Sequence, residues 1–186
     1  MKLNKIYTRT GDGGTAGLVD GSRVRKSSLR MAAIGEVDEA NAAMGVAIAA
    51  LGRGEVPEML LRIQNDLFDL GADVATPGEV EGALRMVAGQ VERLEREIDT
   101  MNADLPPLTS FILPSGSAGV SALHLARAIV RRAERAAVAL AEADPLNPQL
   151  LAYLNRLSDH LFVAARLVAA GEGGDVLWKP GGMRGA

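Results

Sequence analysis

The run Thr8-Arg9-Thr10-Gly11-Asp12-Gly13-Gly14-Thr15 gathers glycines, hydroxyls and a cation within eight residues. Glycines let successive backbone N–H groups turn toward one point, and a nest of such donors takes phosphate oxygens. The run is neither a Walker A loop nor a dinucleotide fingerprint, because the lysine-serine ending and the strand-to-helix setting are missing. A plain surface turn is the competing reading of the same residues. Lys26 lies downstream within reach, where it either meets a phosphate or is simply solvated.

A second group is spaced for a helix. His124, Arg127, Arg131 and Glu134 recur at steps of three and four and so share one face, with Arg132 and Arg135 on another. Asn155, Asp159 and Arg166 occupy a comparable border further on, and Asp38 with Asn41 an earlier one. Each alone reads as structural. Together they could make one polar seam inside the fold, in which the arginines require carboxylate or phosphate partners. His124 and His160 read as hydrogen-bonded border residues. Asp66, Asp69 and Asp73 also share a face and read as a solvated stripe in preference to a metal cage, since no Glu-x-x-His partners accompany them. No Ser-His-Asp set and no paired carboxylates for hydrolysis stand out.

The elements that must hold these side chains are countable. Residues 1 to about 28 carry no apolar period and read as a loop segment. After them come five stripes at helical spacing: Ala33 to Leu51, Leu60 to Val74, Val87 to Met101, Leu123 to Leu140 and Leu150 to Val168. Pro57 and Pro148 suit first helical turns, the latter behind Asn147 as N-cap. Thr76-Pro77-Gly78 ends the second helix, and Leu105-Pro106-Pro107 separates the third from the fourth. Each stripe is a single face, so packing the helices side by side buries them all at once. The expected architecture is an all-α bundle of five helices over about residues 29–170, with a tail at 171–186. Phe111-Ile112-Leu113-Pro114-Ser115-Gly116-Ser117 is apolar yet outside any helix, and is expected to bury its Phe and Leu.

Composition narrows the function classes. The 186 residues suit one domain, and a net charge of −3 offers no general basic field for nucleic acid or anionic lipid. Aromatic residues are 3%, so base-stacking surfaces are scarce. No cysteine is present, which removes disulfides, thiolate ligands and a cysteine nucleophile and suits a reducing cytoplasm. No apolar run approaches the roughly 18 residues of a membrane span, nor does the N-terminus resemble a signal peptide. A soluble cytoplasmic protein is expected. Spacing alone goes no further than a helical bundle with a candidate nucleotide loop.

Read as text, the stretch Lys5-Ile6-Tyr7-Thr8-Arg9-Thr10-Gly11-Asp12-Gly13-Gly14-Thr15 resembles the opening signature of the PduO-type ATP:cob(I)alamin adenosyltransferases. Further blocks follow in order: Gly35-Glu36-Val37-Asp38-Glu39, Gln64-Asn65-Asp66-Leu67-Phe68, Phe111-Ile112-Leu113-Pro114, Ala126-Arg127, Arg131-Arg132-Ala133-Glu134-Arg135, Leu154-Asn155-Arg156-Leu157-Ser158-Asp159 and Asp175-Val176-Leu177-Trp178-Lys179-Pro180. Departures are few. Ala16 stands where many members have a second threonine, Ile34 where an aromatic is frequent, Ala40 for a usual leucine and Ser115 for a more common glycine.

The resemblance implies a ferritin-like five-helix bundle forming a homotrimer with active sites between subunits. It implies transfer of the 5′-deoxyadenosyl group of ATP to cobalt, with ATP and cobalamin as substrates and Mg²⁺ accompanying the phosphates. By the same resemblance Thr8, Arg9, Thr10, Gly11, Asp12, Gly14 and Thr15 order around ATP, and Lys26 reaches the phosphates. Arg131, Glu134 and Asn155 complete the nucleotide site. Asp38 and Arg127 form an intersubunit ion pair beside the corrin, while Phe111 displaces the lower axial base from cobalt. A reductase and a cobalamin-dependent client enzyme are the implied protein partners. The competing reading is a non-catalytic sensor of ATP or cobalamin, or a chaperone delivering the cofactor; a purely structural oligomerisation bundle is a third.

Overall fold

The computed structural model describes residues 6–182 and 184, so Lys5 at the head of the glycine-rich signature and the outermost ends of the expected domain lie outside the described residues. Among the described residues the chain forms α1 (Leu29–Leu51), α2 (Glu55–Val74), α3 (Ala88–Asn102), α4 (Ala118–Ala143) and α5 (Pro148–Ala170), preceded by strands β1 (Thr15–Gly17) and β2 (Arg23–Arg25). Short polar side chains start three of the helices, as orphan N–H groups require. Ser28 Oγ accepts from the Met31 N–H at 3.3 Å, Ser117 Oγ from Val120 at 3.3 Å, and Asn147 Oδ1 from Gln149 at 3.0 Å. Pro148 follows its cap as expected, while α2 ends at Val74 just ahead of Thr76-Pro77-Gly78.

The five stripes meet in one core. Of their members, only Val87 fails: it precedes α3, is exposed, and donates its N–H to Gln90 Oε1 at 3.0 Å. The central pair, α1 and α4, packs through small residues, with Ala33, Ala40, Ala43 and Ala47 facing Ala126, Ala133 and Ala137 in the same buried cluster. The helices run antiparallel, since Arg30 at the start of α1 bonds Asp144 at the end of α4, and Gly119 at the start of α4 touches Leu51 at the end of α1. A Cβ at Gly119 would stand 2.6 Å from Leu51 Cδ2, so a larger residue there would push the Leu51 side chain aside. Around that pair, α2 packs on α1, α5 on α4, and α3 on α5.

Two expectations need correction. The aspartates of α2 are not a solvated stripe: Asp66 and Asp73 are buried and Asp69 is half-buried. Asp66 pairs with Arg93 of α3 and accepts from Tyr153 Oη of α5 at 2.7 Å and from Gln90 at 3.0 Å. Asp73 takes Arg85 at 2.7 Å, the Met86 N–H at 2.8 Å and Asn147 at 2.8 Å. Helices α3 and α5 cover a face that periodicity alone assigns to water. The first 28 residues, likewise, are not all loop: β1 and β2 pair antiparallel in the register Thr15↔Arg25, Ala16↔Val24 and Gly17↔Arg23. Their turn is held by Asp20, whose Oδ1 accepts from Ser22 N–H at 2.9 Å, and is tied to the bundle by Val19 N–H to Ala75 O at 3.0 Å. Asp20-Gly21 is the turn signal that would have marked this hairpin.

Candidate active site

The glycine-rich run closes on itself before it reaches the hairpin. Asp12 N–H bonds Arg9 O at 3.3 Å and Gly14 N–H bonds Gly11 O at 3.1 Å, with Thr8 and Thr10 hydroxyls 2.8 Å apart. Arg9 sits at φ 62°, rare for a residue with a Cβ, its guanidinium 5.7 Å from the Tyr7 ring centre. Such backbone strain persists where surrounding structure over-determines it, and it concentrates at binding sites. What holds the run is Arg23, whose guanidinium donates to Thr10 O at 2.7 Å and to Thr15 Oγ1 at 3.0 Å. Sequence reasoning missed Arg23, because its partners become neighbours only once the hairpin forms. Lys26 crosses the run on the other side: its backbone N–H bonds Gly14 O at 2.9 Å, and a Cβ at Gly11 would lie 3.2 Å from its Nζ. The seven loop positions and Lys26 are therefore gathered in one place, with cationic Lys26 over the glycines.

The arginines of α4 separate by what they touch. Arg132 turns to α1 and bonds Glu36 at 2.5 Å and Glu39, while Arg135 donates to the Arg131 carbonyl at 3.1 Å. Arg127 and Arg131 have no carboxylate among the described residues. Arg131 is exposed and lines, with Glu134, Arg135, Glu142 and Asn155, a groove of about 520 Å³ between α4 and α5. That is within the size range of small-molecule sites. Arg127 is half-buried, its Nε without a partner, its guanidinium 5.9 Å from the Phe162 ring centre. Burial, then the charge of Arg131, holds it below the usual arginine range. Asp38 on α1 is exposed and makes no ion pair among the described residues.

The two histidines differ from expectation in different ways. His160 is fully buried but does bond, its Nε2 2.8 Å from Glu97. His124 is not a hydrogen-bonded border residue: it is buried, its Nδ1 lacks a partner, and its ring meets Phe162 edge-on at 6.5 Å. Burial and then Arg127 push its pKa down, against a smaller opposing pull from Asp175, so the ring is neutral at neutral pH. Nor do the polar borders make one seam. Asn41 is spent on α2, exchanging amide–carbonyl bonds of 3.1 Å with Gln64, and Asp159 on Arg156. Arg166 is buried toward the tail, bonding Asp175 at 3.1 Å and Pro106 O at 2.7 Å. Helices that each carry two polar borders can send them to different neighbours.

Phe111 also departs from expectation: it is 75% exposed, not buried. Its strand-like loop pairs with the tail, Ile112 bridging Leu177 antiparallel, and the Phe111 and Trp178 rings lie 5.9 Å apart at 59°.

The family profile described as cobalamin adenosyltransferase matches residues 6–168 of the chain. This chain belongs to that family. A corrinoid adenosyltransferase of Mycobacterium tuberculosis is 50% identical, covering 99% of this chain and 97% of its own length, and one of Bacillus subtilis is 46% identical over 92% and 91%. Among solved structures, a phenylalanine-to-alanine variant of a PduO-type ATP:corrinoid adenosyltransferase from Lactobacillus reuteri, complexed with cobalamin and ATP, superposes with a TM-score of 0.89 at 37% identity, over 94% of this chain and 99% of that one.

Proposed function

We infer that the chain transfers the 5′-deoxyadenosyl group of ATP to the cobalt of cob(I)alamin, giving adenosylcobalamin and triphosphate. The observation that carries this reading is the match along nearly the whole chain to a relative complexed with both substrates. The chemistry suits the residues present. Cob(I)alamin is itself the nucleophile: its electron pair forms the Co–C5′ bond as the C5′–O5′ bond breaks and triphosphate departs. No serine, cysteine or general base is needed, so the protein's task is alignment and charge stabilisation.

In this reading the Thr8–Thr15 loop wraps the triphosphate, with Thr8, Arg9, Thr10, Gly11, Asp12, Gly14 and Thr15 around it and Lys26 over its oxygens. Arg131 bonds the leaving phosphates, and Glu134 and Asn155 hold the nucleoside in the α4–α5 groove. Mg²⁺ accompanies the phosphates. In this reading the ion is carried mainly by the phosphate oxygens of ATP. Phe111 offers its ring to the lower face of the corrin, excluding the axial base and making cob(II)alamin easier to reduce.

A homotrimer completes the arrangement. Among the described residues no hydrogen bond or ion pair joins the 8–15 loop to Arg131, Glu134 or Asn155, or Asp38 to Arg127; a neighbouring copy would supply each missing half. An apolar groove of about 220 Å³ on the α1–α4 face, with Val46 and Leu125 exposed, gives that copy something to cover. Reversing Asp38 or Arg127 singly is expected to lower activity about 30-fold, the equivalent of about 2 kcal/mol for one interfacial charge pair. The double reversal should recover most of it; a double variant as inactive as the singles refutes the pairing. Among the described residues no helix is long and apolar enough to cross a membrane, and a cytoplasmic enzyme fed by a reductase and serving a cobalamin-dependent client fits this chemistry.

The decisive assay mixes the protein, Mg-ATP and chemically reduced cobalamin and follows the visible spectrum. Conversion to adenosylcobalamin supports catalysis. Binding of both substrates without conversion returns the protein to the class of sensors or delivery chaperones.

A further inference from the structure

An exposed aromatic ring on a loop has no core to aim it. In water it would lie flat against any apolar neighbour, yet Phe111 stands out from the surface. The contacts that hold it come from the C-terminal tail. Trp178 N–H donates to Phe111 O at 2.8 Å, Leu113 N–H donates to Val176 O at 2.8 Å, and Ser110 Oγ donates to Trp178 O at 2.8 Å. Ile112 and Leu177 form the bridge between these bonds. The two segments share one root: Arg166, buried on α5, donates to Pro106 O at 2.7 Å ahead of the loop and to Asp175 at 3.1 Å ahead of the tail. Loop and tail thus form a two-stranded clip fixed to the bundle by one guanidinium. The Trp178 ring, 5.9 Å from that of Phe111 and tilted at 59° to it, is its aromatic neighbour. Next to the clip lies an apolar depression of about 500 Å³ lined by Leu113, Leu177, Trp178 and Lys179.

We propose that Trp178 is a positioning residue: through the tail–loop clip and its own ring it sets the angle at which Phe111 meets the corrin. The proposal rests on the reading that Phe111 fills the lower face of cobalt. Trp178 touches no reacting atom in it. Its work is to spare the loop a search among ring orientations each time substrate arrives.

The test compares wild type, Trp178→Ala, Trp178→Phe, Phe111→Ala and the Phe111→Ala/Trp178→Ala double variant. It reads turnover, ATP affinity by calorimetry, thermal melting, and the fraction of bound cob(II)alamin whose absorption shows the axial base removed. Trp178→Ala is expected to lose roughly three- to tenfold in kcat, the range of a tilted aromatic pair. It should lose base-off signal in proportion, with ATP affinity and melting unchanged, and Trp178→Phe should recover most of both. In the Phe111→Ala background the second substitution should cost nothing further. Full additivity would mean that Trp178 acts apart from Phe111 and overturns the proposal, as would wild-type kcat and base-off signal in Trp178→Ala. Failure of the underlying reading looks different: Phe111→Ala itself would then keep wild-type turnover and base-off signal. The chain has a single tryptophan, so its emission gives an independent readout of corrinoid arrival at the clip.

Discussion

Phe111→Ala is expected to lower turnover on the order of 100-fold while leaving ATP affinity unchanged. Cutting a fully desolvated phenyl ring to a methyl costs about 3–5 kcal/mol in a core. Here the ring is mostly exposed, and in the proposed arrangement its contact energy is realised only when a corrin covers it, so about 2–3 kcal/mol is a fair share. At about 1.4 kcal/mol per decade, that gives the stated loss. In the proposed arrangement the nucleotide is held elsewhere, on the 8–15 loop and in the α4–α5 groove, so calorimetry with ATP should not register the change. Equal loss of turnover and ATP affinity would place Phe111 in the nucleotide site and contradict its assignment to the corrin.

The largest effect on stability is expected at Asp66. Its carboxylate is the meeting point of three helices, taking Arg93 and Gln90 from α3 and Tyr153 from α5. Burial, then the nearby Asp66 charge, drives the Tyr153 phenol far above its ordinary range, so it stays a neutral donor throughout the accessible pH scale. Asp66→Ala strands a fully buried hydroxyl and the guanidinium of Arg93. Breaking a buried pair from one side costs about 3–5 kcal/mol; because Arg93 keeps some contact with water, about 3 kcal/mol is expected. For a chain of this size that corresponds to a drop of about 6–12 °C in Tm. Tyr153→Phe removes one neutral partner and should cost about 1 kcal/mol. A melting curve of Asp66→Ala that overlays the wild type would show the network to be dispensable.

The sequence made some of this legible and hid the rest for identifiable reasons. Helix stripes were readable because burial on one face leaves a local signature: Leu60, Ile63, Leu67, Leu70 and Val74 repeat within a single element, and all are buried. The opposite border of the same helix was misread, because whether Asp66 faces water depends on Arg93 and Tyr153, and no local period reports residues that distant. Val87 failed for a smaller reason, an N-terminal capping bond that starts the helix one residue after its apolar stripe begins. The glycine-rich loop was legible as chemistry but not as geometry. Arg23 and the Asp20-Gly21 turn that organise it lie in a hairpin of three-residue strands, too short for alternation to show. For the cationic residues, periodicity placed Arg127, Arg131 and Arg132 on α4; only packing separated Arg132, spent on Glu36 and Glu39, from Arg127 and Arg131, which have no carboxylate among the described residues. Phe111 was expected inside because it is apolar, and the structure leaves it exposed because the loop pairs with the tail instead of the core.

The pairing of loop and tail bears on how the molecule comes into being. Ser110 bonds a carbonyl 68 positions downstream, whereas α1 and α2 adjoin in sequence and can pack as soon as both exist. During synthesis the bundle's early helices meet first, and the 110–113 segment waits with unpaired backbone groups until residues 176–178 have cleared the ribosome. A message cut short before that codon region would release a protein with its helices in order and this corner unfinished.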